Sequence, residues 1–249
     1  MQAKTCAARG AKGEREQRFP LRERRGFYRA IYSRRDIRAQ FRPDPVPDPL
    51  LVRLLHAAHH AGSVGFMQPW NFVVVRDLVV RRAVHAAFLQ ERDRAAQLYD
   101  ETQRSQFLSL KLEGILEAPL NLCVTCDPER GGPHVLGRSA VRETDLFSTC
   151  CAIQNLWLAA RAEGIGVGWV SILQPSELKA ILGIPECVIP VAYLCLGFVT
   201  GFPDQPELER AGWRARLPLC DLVFAERWGE PPGAALLASI ETVERERRA

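Results

Sequence analysis

The sequence predicts an α+β fold, and three observations carry that expectation. Stretches with apolar residues at helical spacing are interleaved with four short runs rich in β-branched and aromatic residues. No internal repeat and no Pro/Ser-rich linker divides the 249 residues, which favours a single domain. With 47% hydrophobic and 25% charged residues the composition is that of a soluble globular protein. One domain of this length shields roughly 70–75% of its unfolded surface.

Residues 23–35 place Phe27, Tyr28, Ile31 and Tyr32 at helical spacing, so a helix is expected to deliver Arg34, Arg35 and Arg38 near its C-terminal end. "PDPLLVRLLHAAHHAGS" offers Asp48 as N-cap, Pro49 at the first helical position, and Leu51, Leu54, Leu55 and Ala58 as a buried stripe. "WNFVVVRD" reads as a strand from Trp70 to Arg76. A helical stretch from about 78 to 117 follows, too poor in apolar residues to be core along its whole length. "LNLCVTCD" is a second strand and "PERGGPHVLGRS" a glycine-containing loop. The strongest helix runs from Thr144 to Glu163, with Leu146, Cys150, Ile153, Leu156, Trp157 and Ala160 as its apolar face and Gly164 at C′. So uniform a hydrophobicity suits a central helix or one at a subunit interface. "IGVGWVSIL" and "VIPVAYLCLGFV" are two further strands, separated by a short helix opened by Pro175. "PPGAALLASIETVERERRA" reads as an appended helix or tail.

Charge is uneven. Residues 1–42 hold thirteen Lys and Arg against four Asp and Glu, a net of +9, and the rest of the chain carries −5. A basic head suits nucleic acid, a phosphorylated small molecule or a solvated tail. Residues 1–20 lack apolar periodicity, which favours the tail. No apolar run approaches the ~20 residues of a membrane span, and no apolar segment backs the basic start as a secretory signal requires. A cytoplasmic protein is therefore expected, with its eight cysteines reduced. Cys123 and Cys126 form a CxxC, but on a strand residues three apart face opposite ways and no second CxxC exists. Buried thiols are the expectation.

Three constellations deserve weighing as chemistry. His56 and His60 have the i, i+4 spacing of helical zinc ligands, with His59 beside them, yet no Glu lies between as a base; partly exposed helix histidines are expected, and no metal. "GIGVG" at 164–168 follows a helix and enters a strand, the reverse of a dinucleotide fingerprint. What remains is a backbone at Gly166–Gly168 open to close approach by a flat ligand, or a simple tight turn. Arg34, Arg35 and Arg38 on a helix end would fork a phosphate, with Arg214 and Arg216 in "GWRARLPL" as a second basic pair; the plain alternative is a solvated charge run.

"RRxxR" near the start, "QPWNF", "GVGWVS" and an Arg-containing segment near the end resemble the FMN-binding nitroreductase superfamily. More closely, "SRRDIRAQF", "SVGFMQPWNF", "SLKLEGI", "QNLWLAARAEGIGVGWVSI" and "KAILGIP" are similar to the oxygen-dependent flavin destructases of vitamin B12 biosynthesis, over about residues 23 to 229. The resemblance implies a nitroreductase-like α+β fold, a mixed central sheet flanked by helices, in a homodimer with shared active sites that bind FMN. It implies a tail at 1–22, an FMN domain at 23–229 with a lid at about 90–112, and a second tail at 230–249.

On the same basis Arg34, Arg35 and Arg38 would hold the FMN phosphate and ribityl end with help from Arg216. Ser63, Met67, Gln68 and Asn71 would lie along the flavin, Leu110 would join them from the lid, and Gly168, Trp169 and Val170 would pass near N5. Destructases carry Asp where ordinary nitroreductases usually carry Ser, so Asp36 marks the subclass. The implied reaction takes reduced FMN, supplied by a separate reductase, together with O2, and gives 5,6-dimethylbenzimidazole and erythrose 4-phosphate. Asp36 is expected to act as base or proton shuttle and Ser171 to hydrogen-bond near N5. Beside its arginines Asp36 is expected to have a lowered pKa. The competing readings are an NAD(P)H-dependent nitroreductase or flavin reductase, and a non-catalytic anion- or nucleic-acid-binding module; the few aromatics in the basic head speak against the latter.

Overall fold

A computed structural model describes residues 18–248; the expected basic tail falls almost wholly outside the described residues. The described residues form two compact units, divided after Asp204.

In the first unit, α1 (Leu21–Ser33) stops before the arginine cluster. Arg34 is already extended, with ψ 134°, and the Ile37 N–H donates to the Val167 carbonyl at 3.0 Å. The expected helical face shared by Arg34 and Arg38 is therefore absent, because strand pairing captures this segment first. α2 (Asp48–His59) buries Leu50, Leu51, Leu54 and Ala58, with Leu55 half-buried. Its N-cap position is Pro47 rather than Asp48, whose carboxylate accepts from Arg76 instead.

The single long helix expected over 78–117 is two. α3 (Leu78–Ala96) is capped by Asp77, which accepts from Val79 N at 2.6 Å. The chain then breaks, and Asp100 starts α4 (Glu101–Ser109) by accepting from Gln103 N at 2.8 Å. A side-chain oxygen that satisfies an orphan N–H favours a new helix start over continuation. Leu110 leaves α4 in an extended conformation.

Four strands, β1 (Trp70–Val75), β2 (Leu120–Cys126), β3 (Ile165–Val170) and β4 (Ile189–Phe198), form one sheet in the order β1-β2-β4-β3. Among the described residues every ladder is antiparallel, and the parallel component of the sheet is confined to the bridge between Asp36 and Val167. β2 is buried along its whole length, as a central strand with both faces covered should be. Leu122, Val124, Leu194, Leu196 and Val167 pack on α2 and on α5 (Thr144–Ala162). Cys123, Tyr193, Cys195 and Val170 pack on the opposite face against Val84 and Phe88 of α3 and Leu178 of α6 (Pro175–Leu182).

Gly164 ends α5 at φ +76°, the left-handed C′ conformation expected of it. The apolar face of α5 holds from Ala152 to Ala160, but at its start Cys150 is exposed, Leu146 half-buried, and Asp145, Ser148 and Thr149 are buried. Polar partners explain the exchange: Arg138 pairs with Asp145 at 2.8 Å, and Ser148 Oγ accepts from Val64 N at 3.0 Å. Burial holds the Cys123 thiol up at about 12, and the seven cysteines among the described residues are all free.

The second unit contains α7 (Glu207–Arg210) and α8 (Ala234–Arg248). Leu219 N donates to Glu244 Oε1 at 2.7 Å. No helix among the described residues is long and apolar enough to cross a membrane.

Candidate active site

The extended segment after α1 lies against β3, and glycines make that approach possible. A Cβ on Gly168 would stand 2.1 Å from the Ile37 carbonyl oxygen, and one on Gly166 2.4 Å from Val199 Cγ1. The "GIGVG" glycines therefore admit protein backbone and side chains where the sequence suggested a flat ligand.

Asp36 is the product of this packing. Its Oδ1 accepts from the Trp169 N–H at 3.0 Å and its Oδ2 from Arg38 Nη2 at 2.7 Å. Arg38 is almost fully buried, while the Asp36 side chain keeps 31% of its exposure. The Asp36 pKa is raised above the ordinary carboxylate value, contrary to expectation. Desolvation by burial raises it; the Arg38 charge, the Trp169 N–H and the Arg34 charge pull it down without cancelling that cost.

The other two arginines fan out beside it. The Arg34 guanidinium lies 4.6 Å from the centre of the Trp157 ring. Arg35 donates through Nη1 to the carbonyls of Tyr32 and Arg34, at 2.9 and 2.8 Å, and through Nη2 to the Asp204 carbonyl. Its Nε is buried with no hydrogen-bond partner among the described residues. Trp157 Nε1 donates to the Arg35 carbonyl at 3.3 Å, and Arg161 Nε to the Ser33 carbonyl at 3.1 Å. α5 thus fixes the backbone that carries the cluster.

Ser63, Met67, Gln68 and Asn71 form a second group, on the turn from α2 into β1. Gln68 N donates to Ser63 Oγ at 3.0 Å, Met67 is buried, and Asn71 Nδ2 donates to Thr125 Oγ1 at 3.2 Å. Met67, Gln68 and Asn71 line a cavity of about 620 Å³ with His59, Phe72 and Arg130. Trp70 Nε1 faces His59 Nδ1 at 3.2 Å, and His56, His59 and His60 are exposed as expected.

The two groups sit on opposite edges of the sheet, since β1 and β3 are its outer strands. Three strand spacings separate them by roughly 14 Å. Val170 packs its side chain into the core beside Tyr193 and Leu178. Ser171, exposed just past β3, lines a small cavity of about 160 Å³ with Trp169, Leu173 and Val191. Leu110 is the residue that follows α4. Arg216 belongs to the second unit, where its N–H donates to Glu209 Oε1 at 3.4 Å. A larger cavity of about 790 Å³ is bounded by the loop from Pro128 to Arg142, but Arg138 there is committed to Asp145 and the Pro128 carbonyl.

Sequence reasoning missed Trp157 as a cluster residue, Thr125, and Arg130. The first two read as plain helix core and plain strand, and Arg130 lies in a loop with no pattern of its own.

Fold and site together define an α+β protein of one antiparallel sheet between helices, with a partly buried acid–arginine pair at a glycine-bearing sheet edge. A model of the Nitroreductase family matches residues 31–198, and the chain belongs to that family. It is 45% identical over 185 residues to a 5,6-dimethylbenzimidazole synthase of Rhodospirillum rubrum, covering 74% of this chain and 87% of that one. It is 40% identical over 200 residues to the synthase of the same name from Rhodobacter capsulatus, covering 80% and 96%. Among solved structures, iodotyrosine deiodinase bound to FMN and 3-iodo-L-tyrosine superposes with a TM-score of 0.62 at 17% identity, over 81% of this chain and 98% of that chain.

Proposed function

We propose that this chain is an enzyme that fragments reduced FMN with O2, forming 5,6-dimethylbenzimidazole and releasing erythrose 4-phosphate. The observation that carries the reading is the 45% identity to a 5,6-dimethylbenzimidazole synthase over most of both chains. A conventional nitroreductase shares the fold but does not account for that likeness.

The residues present fit the flavin. Arg34 and Arg35 bring two guanidiniums to the same segment, and the buried Arg35 Nε offers a donor that an anionic phosphate oxygen would satisfy. Asn71 and Gln68 offer amides to a polar ring edge, next to the apolar Met67 and Phe72. Bound reduced FMN supplies the electrons that reduce O2 and the ribityl C1′ carbon that becomes C2 of the benzimidazole.

The protein's part is binding and proton handling. Arg34 and Arg35 hold the phosphate, while Arg38, tied to Asp36, orients the carboxylate rather than the ligand. Asp36 takes a proton at the ribityl end, and a raised pKa makes its carboxylate a better base than an ordinary aspartate. Ser171 donates a hydrogen bond near the ring, and Leu110 and the broken helix pair at 90–112 cover the site. Because the two residue groups lie on opposite sheet edges, a homodimer completes each site, one protomer giving the arginine side and its partner the Asn71 side. Reduced flavin comes from a separate reductase.

The test is to mix the protein with photoreduced FMN, admit air, and follow products by chromatography and mass. 5,6-Dimethylbenzimidazole should appear as flavin disappears. Return of intact FMN, with NAD(P)H supporting turnover, would overturn the reading.

A further inference from the structure

We infer that Arg130 is a positioning residue that fixes the polarity and placement of the Gln68–Asn71 edge, so that Asn71 presents an N–H donor to its ligand. The inference rests on the proposed flavin site and assigns that edge a partner of defined chemistry, an acceptor atom such as a ring carbonyl oxygen.

Arg130 comes from the loop after β2 and reaches back to the start of β1. Its Nη1 donates to the Gln68 and Trp70 carbonyls, both at 2.8 Å, and its Nη2 to Asn71 Oδ1. Asp127 Oδ2 lies 3.6 Å from Nη2 and balances the charge. These contacts engage both terminal nitrogens of Arg130 within its own chain, so it organises the cavity wall.

The consequence for Asn71 follows from donor chemistry. A guanidinium only donates, so the amide atom facing it is the oxygen. Asn71 Nδ2 then has one hydrogen on Thr125 Oγ1 and one remaining. With its oxygen occupied, the amide cannot turn to offer an acceptor. The remaining Nδ2 hydrogen makes an accepting ligand atom the natural partner of Asn71.

Backbone strain gives Arg130 a second task. Phe66 and Gln68 have φ of +55° and +50°, a region that disfavours residues with a side chain. Gln68 is held there from three sides: its N–H on Ser63 Oγ, its own Nε2 on the Phe66 carbonyl at 3.1 Å, and its carbonyl on Arg130. Arg130 is the only one of these three anchors from outside the turn, and it ties the turn to β1.

The experiment is a double-variant cycle on FMN affinity, read by flavin fluorescence, with thermal unfolding of the flavin-free protein in parallel. Asn71→Ala and Arg130→Met should each weaken FMN by about tenfold, the worth of one good hydrogen bond to a polar ligand. The double variant should lose no more than the worse single one. Asn71→Asp, which keeps the acceptor for Arg130 but removes the outward donor, should leave the flavin-free melting temperature unchanged or higher and still weaken FMN. Arg130→Lys should recover only part of the affinity, since an ammonium cannot span three acceptors. Losses that multiply in the double variant, or full binding by Arg130→Met or by Asn71→Asp, would overturn the inference while leaving the flavin site intact. Wild-type protein that fails to bind FMN, or Asn71→Ala that binds it normally, would instead sink the site assignment beneath it.

Discussion

The carbonyl oxygen of Ile37 lies where a side chain on Gly168 would begin, 2.1 Å from the Cβ position. That contact lets the segment after α1 join the sheet edge and brings the Asp36 carboxylate onto the Trp169 N–H. Gly168→Ala must push the two backbones apart. It should cost about 3 kcal/mol in a urea unfolding experiment and lose product formation with it. Gly26→Ala, in the exposed middle of α1 with nothing within 4 Å of the new methyl, should stabilise by about 0.5–1 kcal/mol. Equal effects of the two changes would refute this account of the strand glycine.

Asp36 makes a pH prediction whose sign follows from its raised pKa. As the proposed base it works ionised, so product formation falls as pH drops through its folded pKa, and the acid limb lies above 3.8. The Arg38 charge lowers that pKa, so Arg38→Met should move the limb to higher pH. For stability the direction is opposite. The folded state holds the Asp36 proton more tightly than the unfolded chain, so this group's contribution is complete below the unfolded pKa and lost as pH rises through the folded one. Asp36→Asn removes the titration, keeps flavin binding and abolishes product. A limb unmoved by Arg38→Met would assign it to another group.

How far the sequence reveals this chain depends on the range of the interactions involved. α5 and the four strands are legible because periodicity is local, and the "QPWNF" and "GVGWVS" motifs are legible by resemblance. The helix break at Gln97–Asp100 is less so, since Asp100 reads as one more polar residue until its carboxylate is seen on Gln103 N. Arg34 and Arg38 look like a helix end because nothing nearby announces that β3, some 130 residues on, takes the segment as a bridge. The Asp36 pKa misleads for the same reason. Its arginine neighbours are visible in the sequence, whereas the burial that outweighs them comes from distant chain. Arg130 has its partners about 60 residues away, in a loop without a pattern.

Asn121 should be among the costliest polar side chains to remove. It is fully buried, and its Nδ2 donates to the Ile115 carbonyl at 3.0 Å and to Tyr193 Oη at 3.1 Å. Asn121→Leu strands both acceptors in the core, at a cost of about 2–4 kcal/mol. Adding Tyr193→Phe removes one stranded group, so the double variant should be more stable than the sum of the single losses. Chemical denaturation of the four proteins measures the coupling; simple additivity would mean the groups do not depend on each other.

Subunit complementation tests the shared site directly. If the Asp36 side of one protomer and the Asn71 side of its partner make one site, an Asp36→Asn homodimer and an Asn71→Leu homodimer each carry two damaged sites. In a heterodimer of the two variants both lesions fall in the same site, and the other site is intact. Co-expression with different affinity tags and purification through both isolates that heterodimer. It should show about half the wild-type rate of flavin fragmentation, because one site of two survives. If each site were built from one chain, the heterodimer would hold one Asp36→Asn site and one Asn71→Leu site, and its rate would stay at the level of the two parents. The roughly 14 Å between the two sheet edges favours the first outcome, since a side chain on β1 and the carboxylate beside β3 cannot meet across the two strands between them.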